Sequence, residues 1–197
     1  MPQDLSPIQL DQLRSFESLL RDRAVSLGLI AESDSERLGE RHVQDSLRAA
    51  SSILSGDEAL CDIGPGAGLP GLVLAIAKPD LEVTLLEPKQ KAVAFLEMAI
   101  SRLSLGNVAI VSTRVEETQL SVDVATARAF GPMERSWEAA LKVLRPGGRL
   151  IYFAGEGLVD PVAAAGEMGS AEAPASVDVE HVIADSSPLV IMARATP

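Results

Sequence analysis

The residues best suited to chemistry are Asp62, Gly64, Gly66 and Gly68, within Cys61-Asp62-Ile63-Gly64-Pro65-Gly66-Ala67-Gly68-Leu69-Pro70-Gly71. Glycines at alternate positions bring bare backbone close to a ligand, or take dihedrals that a Cβ blocks. A dinucleotide fingerprint spaces them G-x-G-x-x-G; this chain reads G-x-G-x-G. A pyrophosphate needs backbone N–H groups at a helix N-terminus. An adenosine without phosphates needs mainly close approach and an acid for its polar groups. The spacing therefore favours S-adenosylmethionine (SAM) over NAD. The same glycines would also make a tight strand-to-helix turn that binds nothing. Glu87 adds to the first reading. It ends the run Leu81 to Glu87, 19 positions after Gly68, where an acid closing a second strand reaches ribose hydroxyls. A carboxylate can accept from both hydroxyls of one ribose; an exposed strand-end acid is the plain alternative.

These groups need a scaffold. Glu58 to Ile63 reads as a first strand, and Leu72 to Ala77 as the helix after the glycines. Leu81 to Glu87 is a second strand. Lys89 to Leu105 is an amphipathic helix, with Ala92, Val93, Leu96, Ala99, Ile100 and Leu103 at steps of three and four. Gly106-Asn107 should cap it. Asn107–Ser112 and Val122–Ala127 are further strands, and Glu134–Leu144 a helix holding Trp137. Arg145-Pro146-Gly147-Gly148 reads as a turn, and Arg149–Ala154 as a fifth strand. Two more strands fall near Ser176–Ala184 and Leu189–Ala195, after an acidic helix and loose loop over Ala163–Ala175. Strands alternating with helices predict an α/β fold with a seven-stranded, mostly parallel sheet and helices on both faces. Asp62, Glu87 and the 112–117 segment then lie at strand carboxyl ends, where such sheets bind ligands.

The N-terminal part reads as helical. Ser6-Pro7-Ile8-Gln9 and Ser33-Asp34-Ser35-Glu36 are capping boxes. Leu10, Leu13, Phe16, Leu19 and Leu20 form an apolar stripe. Arg41 and Asp45 are four apart and share a helix face with Arg48, which on charge pattern alone reads as an ion pair on a solvated face. The chain thus divides into an N-terminal helical extension, 1–55, and a Rossmann-like domain, 56–197.

Composition narrows the classes. The chain is 47% hydrophobic and only 3% aromatic, so its core is built from Leu, Val, Ile and Ala. No apolar run reaches the roughly 20 residues of a membrane span, and MPQDLS is not the start of a signal peptide, which predicts a cytoplasmic protein. The single cysteine, Cys61, excludes an internal disulfide, and with only His42 and His181 beside it no metal is expected. Net charge is −11, which argues against non-specific nucleic-acid binding. The charge is uneven: Glu156, Asp160, Glu167, Glu172, Asp178, Glu180 and Asp185 stand in 150–193 without Lys or Arg. Arg37, Arg41, Arg48, Lys89, Lys91, Arg114 and Arg128 could instead form a basic patch on the glycine-loop side.

In combination the motifs resemble the RsmG (GidB) family, bacterial methyltransferases that make 7-methylguanosine in 16S ribosomal RNA. The matching segments are RHVQDSL at 41–47, DIGPGAGLPGLVLAIAKPDLEVTLLE at 62–87, KAVAFL at 91–96, TRVEE at 113–117 and ARAF at 127–130. The resemblance implies a class I SAM-dependent methyltransferase fold, SAM as methyl donor, and 16S rRNA or the 30S subunit as partner of a monomer or weak dimer. It implies that Gly64 and Leu69 line the SAM site beside Asp62, Gly66 and Gly68, with Glu87 near the ribose. Val115 and Glu116 would flank the adenine, the glutamate accepting from its amino group. Arg128 would sit beside donor and incoming base. Arg41, His42 and Asp45 would face the pocket from the N-terminal helices, and Lys91 would meet phosphate.

The chain also departs from the family. Arg23-Ala24 stands where Trp-Asn is usual, Gly28-Leu29-Ile30 in place of Asn-Leu-Thr, and Ala154-Gly155 in place of Lys-Gly. An arginine common before the last strand has no counterpart near Ser187-Pro188. Each replacement removes a polar or basic group from the side expected to hold RNA. A small-molecule methyltransferase and a non-catalytic SAM-binding protein therefore stand as competing readings. The chemistry itself asks little: guanine nitrogen seven has an in-plane lone pair, so alignment and electrostatics suffice. Cytosine C5 methylation needs a cysteine nucleophile, and Cys61 lies inside a strand. The Asn/Asp-Pro-Pro-aromatic loop of amine methylation is absent at Ala127-Arg128-Ala129-Phe130-Gly131, where Phe130 is either a core residue or a stacking surface for a base.

Overall fold

The apolar run before the glycines forms β1 (Ala59–Ile63), an interior strand of the sheet. The computed structural model describes residues 5–33, 38–155, 157–158, 160–170, 172–180 and 188–196. β2 (Glu82–Leu86), β3 (Val108–Val111), β4 (Val122–Arg128), β5 (Leu144–Phe153), β6 (Ser176–Glu180) and β7 (Leu189–Ala193) complete a seven-stranded sheet. Its order is β3-β2-β1-β4-β5-β7-β6. Pairings are parallel from β3 to β5, and β7 runs antiparallel to both β5 and β6. The expected α/β class and strand number hold.

Side chains alternate across the sheet, as period-two strands require. Leu60, Val124, Ile151 and Ile191 enter one core, with α1 (Pro7–Leu19), α3 (Gly71–Ala77) and α4 (Gln90–Leu103). Cys61, Ala125, Leu150 and Met192 enter the other, with Trp137 of α5 (Met133–Leu141). Helices therefore cover both faces.

The N-terminal helices share the first core through Leu13, Phe16 and Leu20. The Ser6 capping box forms as predicted. Gln9 and Gln12 then reach across: Gln9 Nε2 donates to Ile76 O at 2.8 Å, and Gln12 Nε2 to Leu103 O at 2.8 Å. These are carbonyls at the ends of α3 and α4, which have no partner inside their own helix. Residues 38–44 wind as a π-helix and lead into the short α2 (Asp45–Arg48). The second expected capping box falls on 34–37, outside the described residues.

Three expectations are corrected. The 145–148 turn is a bulge inside β5: Val122 pairs with Leu144 and Val124 with Arg149, and Gly147 takes φ 79°. Helix α4 is closed by Ser104 at φ 55°, not by Gly106-Asn107. Asn107 has another use, its amide donating to the carbonyls of Ala75 and Leu81 at 3.1 and 3.0 Å. The expected acidic helix is the short α6 (Pro161–Gly166), which holds no acidic residue of its own and is opened by the Asp160 cap. The far end of the predicted sixth strand, 181–184, lies outside the described residues. Among the described residues no helix is long and apolar enough to cross a membrane.

Candidate active site

At the carboxyl ends of β1, β2 and β4 lies a cavity of about 870 Å³, within the roughly 300–1,000 Å³ of small-molecule sites. Its floor is the glycine loop. Gly64 and Gly66 line it with φ of 69° and 56°. A Cβ on Gly66 would meet no atom within 4 Å, so a side chain there would project into open space and crowd a ligand against the loop. Leu69 lines the cavity too. Gly68 does not: a Cβ there would stand 2.5 Å from Leu72 Cδ1, so this glycine serves loop-to-helix packing.

Asp62 lies beneath the loop and does not face the cavity. It is fully buried, accepting from Gly71 N–H at 2.7 Å and from the Thr126 hydroxyl at 2.9 Å. Burial pushes its carboxyl up to about 7; both hydrogen bonds and the charge of Arg128 oppose that shift, and Glu87 adds to it. The acid before the glycines thus shapes the loop from below. Gly71 is needed for the same reason, since a Cβ there would fall 2.4 Å from Leu85 Cδ2.

Glu87 forms one wall and is almost wholly buried. Its Oε2 accepts from Gly66 N–H at 3.1 Å and its Oε1 from Lys89 N–H at 3.0 Å. A carboxylate has about four acceptor positions, so both oxygens keep capacity for hydroxyl donors. Val115 and Glu116 also line the cavity, on a single helical turn, the valine buried and the glutamate exposed.

Arg128, His42 and Asp45 form one network that ties β4 to the N-terminal helices. Arg128 Nη1 donates to His42 O at 3.2 Å and Ser46 Oγ at 3.1 Å. Its Nη2 lies 3.0 Å from His42 Nδ1 and 3.2 Å from Asp45 Oδ2. A guanidinium only donates, so His42 Nδ1 accepts and the ring proton sits on Nε2. Asp45 also pairs with Arg48, which is buried. The Asp45–Arg48 pair is therefore part of the interior, and the expected solvated face is corrected. Arg128 and His42 line the cavity while Asp45 stands behind them. The side chain of Arg41 lies outside the described residues.

Further groups line the cavity beyond the expected site residues, and of these Arg135 was not singled out from the sequence. Gly28 to Ala31 reach the cavity from the N-terminal extension. Arg135 does so from the first turn of α5, and Ala129 lines it at φ 50°, a conformation costing a non-glycine residue roughly 1–3 kcal/mol. The RAF triplet marked the place, but nothing in the letters marks a left-handed alanine. Lys89, Arg114 and Arg135 are exposed at the rim, a local basic edge on an acidic chain. Lys91 is exposed but does not line the cavity. A second crevice of about 550 Å³, between α1 and the ends of α3 and α4, has no charged lining residue and lies away from the strand carboxyl ends. Among the described residues no group of His, Cys, Asp and Glu is placed to hold a metal. Burial raises the thiol of Cys61 far above its ordinary value, with Asp62 adding to the effect, so it is inert.

Comparison with known proteins places this geometry. The profile of the family described as GidB, rRNA small subunit methyltransferase G, matches residues 9–187. A ribosomal RNA small subunit methyltransferase G of Clavibacter michiganensis is 38% identical over 80% of this chain and 74% of its own length. Those of Thermobifida fusca and Salinispora tropica are 42% and 40% identical, over 72% and 76% of this chain. The match spans 60% and 65% of those two relatives. Among solved structures, M. jannaschii TYW2 in complex with AdoMet superposes with a TM-score of 0.57 at 16% identity, over 78% of this chain and 75% of its own. The S-adenosylmethionine-dependent methyltransferase SibL does so with 0.63 at 14%, over 96% and 69%. At such identities the likeness is one of fold, that of class I SAM-dependent methyltransferases.

Proposed function

The chain belongs to the rRNA small subunit methyltransferase G (GidB) family, and from that premise we propose that it transfers the methyl group of SAM to nitrogen seven of a guanine in 16S rRNA. The observation that carries the reading is the donor half of the cavity. Bare glycine backbone, the buried Glu87 carboxylate and the Val115-Glu116 turn surround one space at the strand ends. Bound there, SAM supplies an electrophilic methyl carbon on a sulfonium. Gly64 and Gly66 admit it at backbone distance. Glu87 accepts from the ribose hydroxyls, Val115 packs on the adenine, and Glu116 accepts from its amino group.

On the acceptor side the chain needs no base, because the guanine nitrogen attacks with its own lone pair. The Arg128 network holds the cavity's shape there, and Lys89, Arg114 and Arg135 offer charge to RNA phosphates. The cavity mouth takes one nucleotide lifted out of its stack. The acidic net charge and the replaced residues at 23–24 and 28–30 favour the competing reading, a small-molecule acceptor.

The test is transfer of labelled methyl from SAM to 30S subunits, to protein-free 16S rRNA and to a metabolite extract, followed by nucleoside mapping. Label in 7-methylguanosine of the rRNA is expected. Label confined to the extract overturns the rRNA reading in favour of the small-molecule one. Calorimetry with SAM and NAD checks the donor: SAM should bind, and NAD should not.

A further inference from the structure

We propose that Phe130, backed by Arg135, is the surface on which the acceptor purine stacks. The proposal rests on the methyl-transfer reading above and names the residues that hold its acceptor. Phe130 stands two residues beyond Arg128, just past the end of β4. There the chain turns through Ala129 at φ 50°, a conformation that persists only where its surroundings enforce it. Both ends of the turn are fixed. Arg128 is tied to His42, Ser46 and Asp45 before it. After it, Gly131 O accepts from the Tyr152 hydroxyl at 3.0 Å.

The strained turn has a definite result: it lays the Phe130 ring over the glycine loop. A Cβ on Gly64 would fall 2.9 Å from Phe130 Cδ2 and 3.5 Å from Cε2. The ring is only half-buried and lines the cavity. The ring packs in part against the second core, yet unlike Phe95 and Phe16 it is not enclosed there. The Arg135 guanidinium carbon lies 5.3 Å from the ring centroid, within cation–π range. Arg135 is itself exposed and lines the same cavity. The guanidinium covers one face of the ring, and the opposite face, at the mouth of a donor pocket, is a surface for a flat, electron-rich base next to a phosphate. Because the ring also touches Gly64, one side chain contacts both donor loop and acceptor, and so sets the acceptor's height above the methyl group.

The test compares Phe130→Leu, which keeps apolar bulk and loses the π face, with Phe130→Tyr, which keeps the face. Phe130→Leu should lower kcat/KM for 30S subunits by roughly 10-fold or more while SAM affinity stays within about twofold, and Phe130→Tyr should retain most activity. Arg135→Ala should raise KM for the 30S subunit at unchanged SAM affinity. A Phe130→Leu variant as active as wild type overturns the proposal. So does one whose loss of transfer equals its loss of SAM affinity, since Phe130 would then belong to the donor wall. A separate arm does not depend on transfer. Guanosine monophosphate is titrated into the wild-type protein with S-adenosylhomocysteine present, and the ring protons of Phe130 are followed by NMR. Saturable shifts there, lost in Phe130→Leu, support stacking even if no rRNA is methylated, an outcome that would sink the rRNA reading alone. Absence of any shift, with wild-type transfer intact, overturns the stacking surface.

Discussion

Replacing Asp62 by Asn should make the protein more stable at about pH 8, because the buried carboxylate is costly once it ionises. In the unfolded chain this acid loses its proton near the ordinary value of 3.8, and in the folded chain near 7. Between those values the folded state holds the extra proton. The stability that Asp62 contributes is therefore fully present below the lower value and is lost as pH rises through the upper one. At about 1.4 kcal/mol per unit, the loss over this window is roughly 4 kcal/mol. The hydrogen bonds show why the neutral form is accommodated. With a proton on Oδ1, the Asp62–Thr126 bond reverses its direction at the same 2.9 Å, and Oδ2 still accepts from Gly71 N–H. An asparagine reproduces both bonds, its oxygen facing Gly71 and its amide facing Thr126. Its second amide N–H has no partner in that arrangement and costs about 1–3 kcal/mol. The net gain at about pH 8 is then on the order of 1–3 kcal/mol. Urea unfolding of both proteins across about pH 4 to 8.5 would measure it. The curves should cross, with the wild type the more stable at the acid end. An Asn variant less stable than wild type throughout would refute the reasoning and show that the ionised form is the one the fold prefers.

Gly71→Ala drives a methyl to 2.4 Å from Leu85 Cδ2 and 2.7 Å from Asp62 Oδ2; it should cost about 1–3 kcal/mol, read as a lower Tm. Glu116→Ala should weaken SAM binding about fivefold, the value of one net hydrogen bond of about 1 kcal/mol, by calorimetry; unchanged affinity would reassign that residue. Arg128→Lys keeps the charge but loses the fork that reaches His42, Ser46 and Asp45 together. It should cost roughly 1–3 kcal/mol of stability, and denaturant midpoints will show whether it does.

The scaffold was largely legible because its signals are local. Alternating apolar runs located all seven strands, and the Ser6 capping box started α1 where it begins. The glycine loop and Glu87 were found from spacing alone, and the structure puts both in one cavity. What escaped depends on tertiary packing. Arg145-Pro146-Gly147-Gly148 has turn chemistry, yet β4 pairs on both sides of it and turns it into a bulge. Gly106 looked like a cap, but the helix had already ended at Ser104. Asp62 reads as a ligand-facing acid, and only the start of α3 above it and the pairing of β1 with β4 reveal that its oxygens are taken by Gly71 and Thr126. The burial of Arg48 beside Asp45 follows from how α2 docks, which no charge pattern encodes.

The two glutamines of α1 bear on how the chain matures as it is made. The helix is synthesised first, yet Gln9 and Gln12 bond to carbonyls at residues 76 and 103, and Phe16 is buried among residues of α3 and α4. At about 5–20 residues per second, the ribosome needs roughly 4–17 s to reach that second carbonyl. Through that interval the leading segment has nowhere to dock its apolar stripe, and a helix of this length is marginal on its own. Nascent chains arrested before residue 103 should therefore lose Pro7–Leu19 to protease, and chains arrested far enough beyond α4 for it to have left the ribosome should keep them.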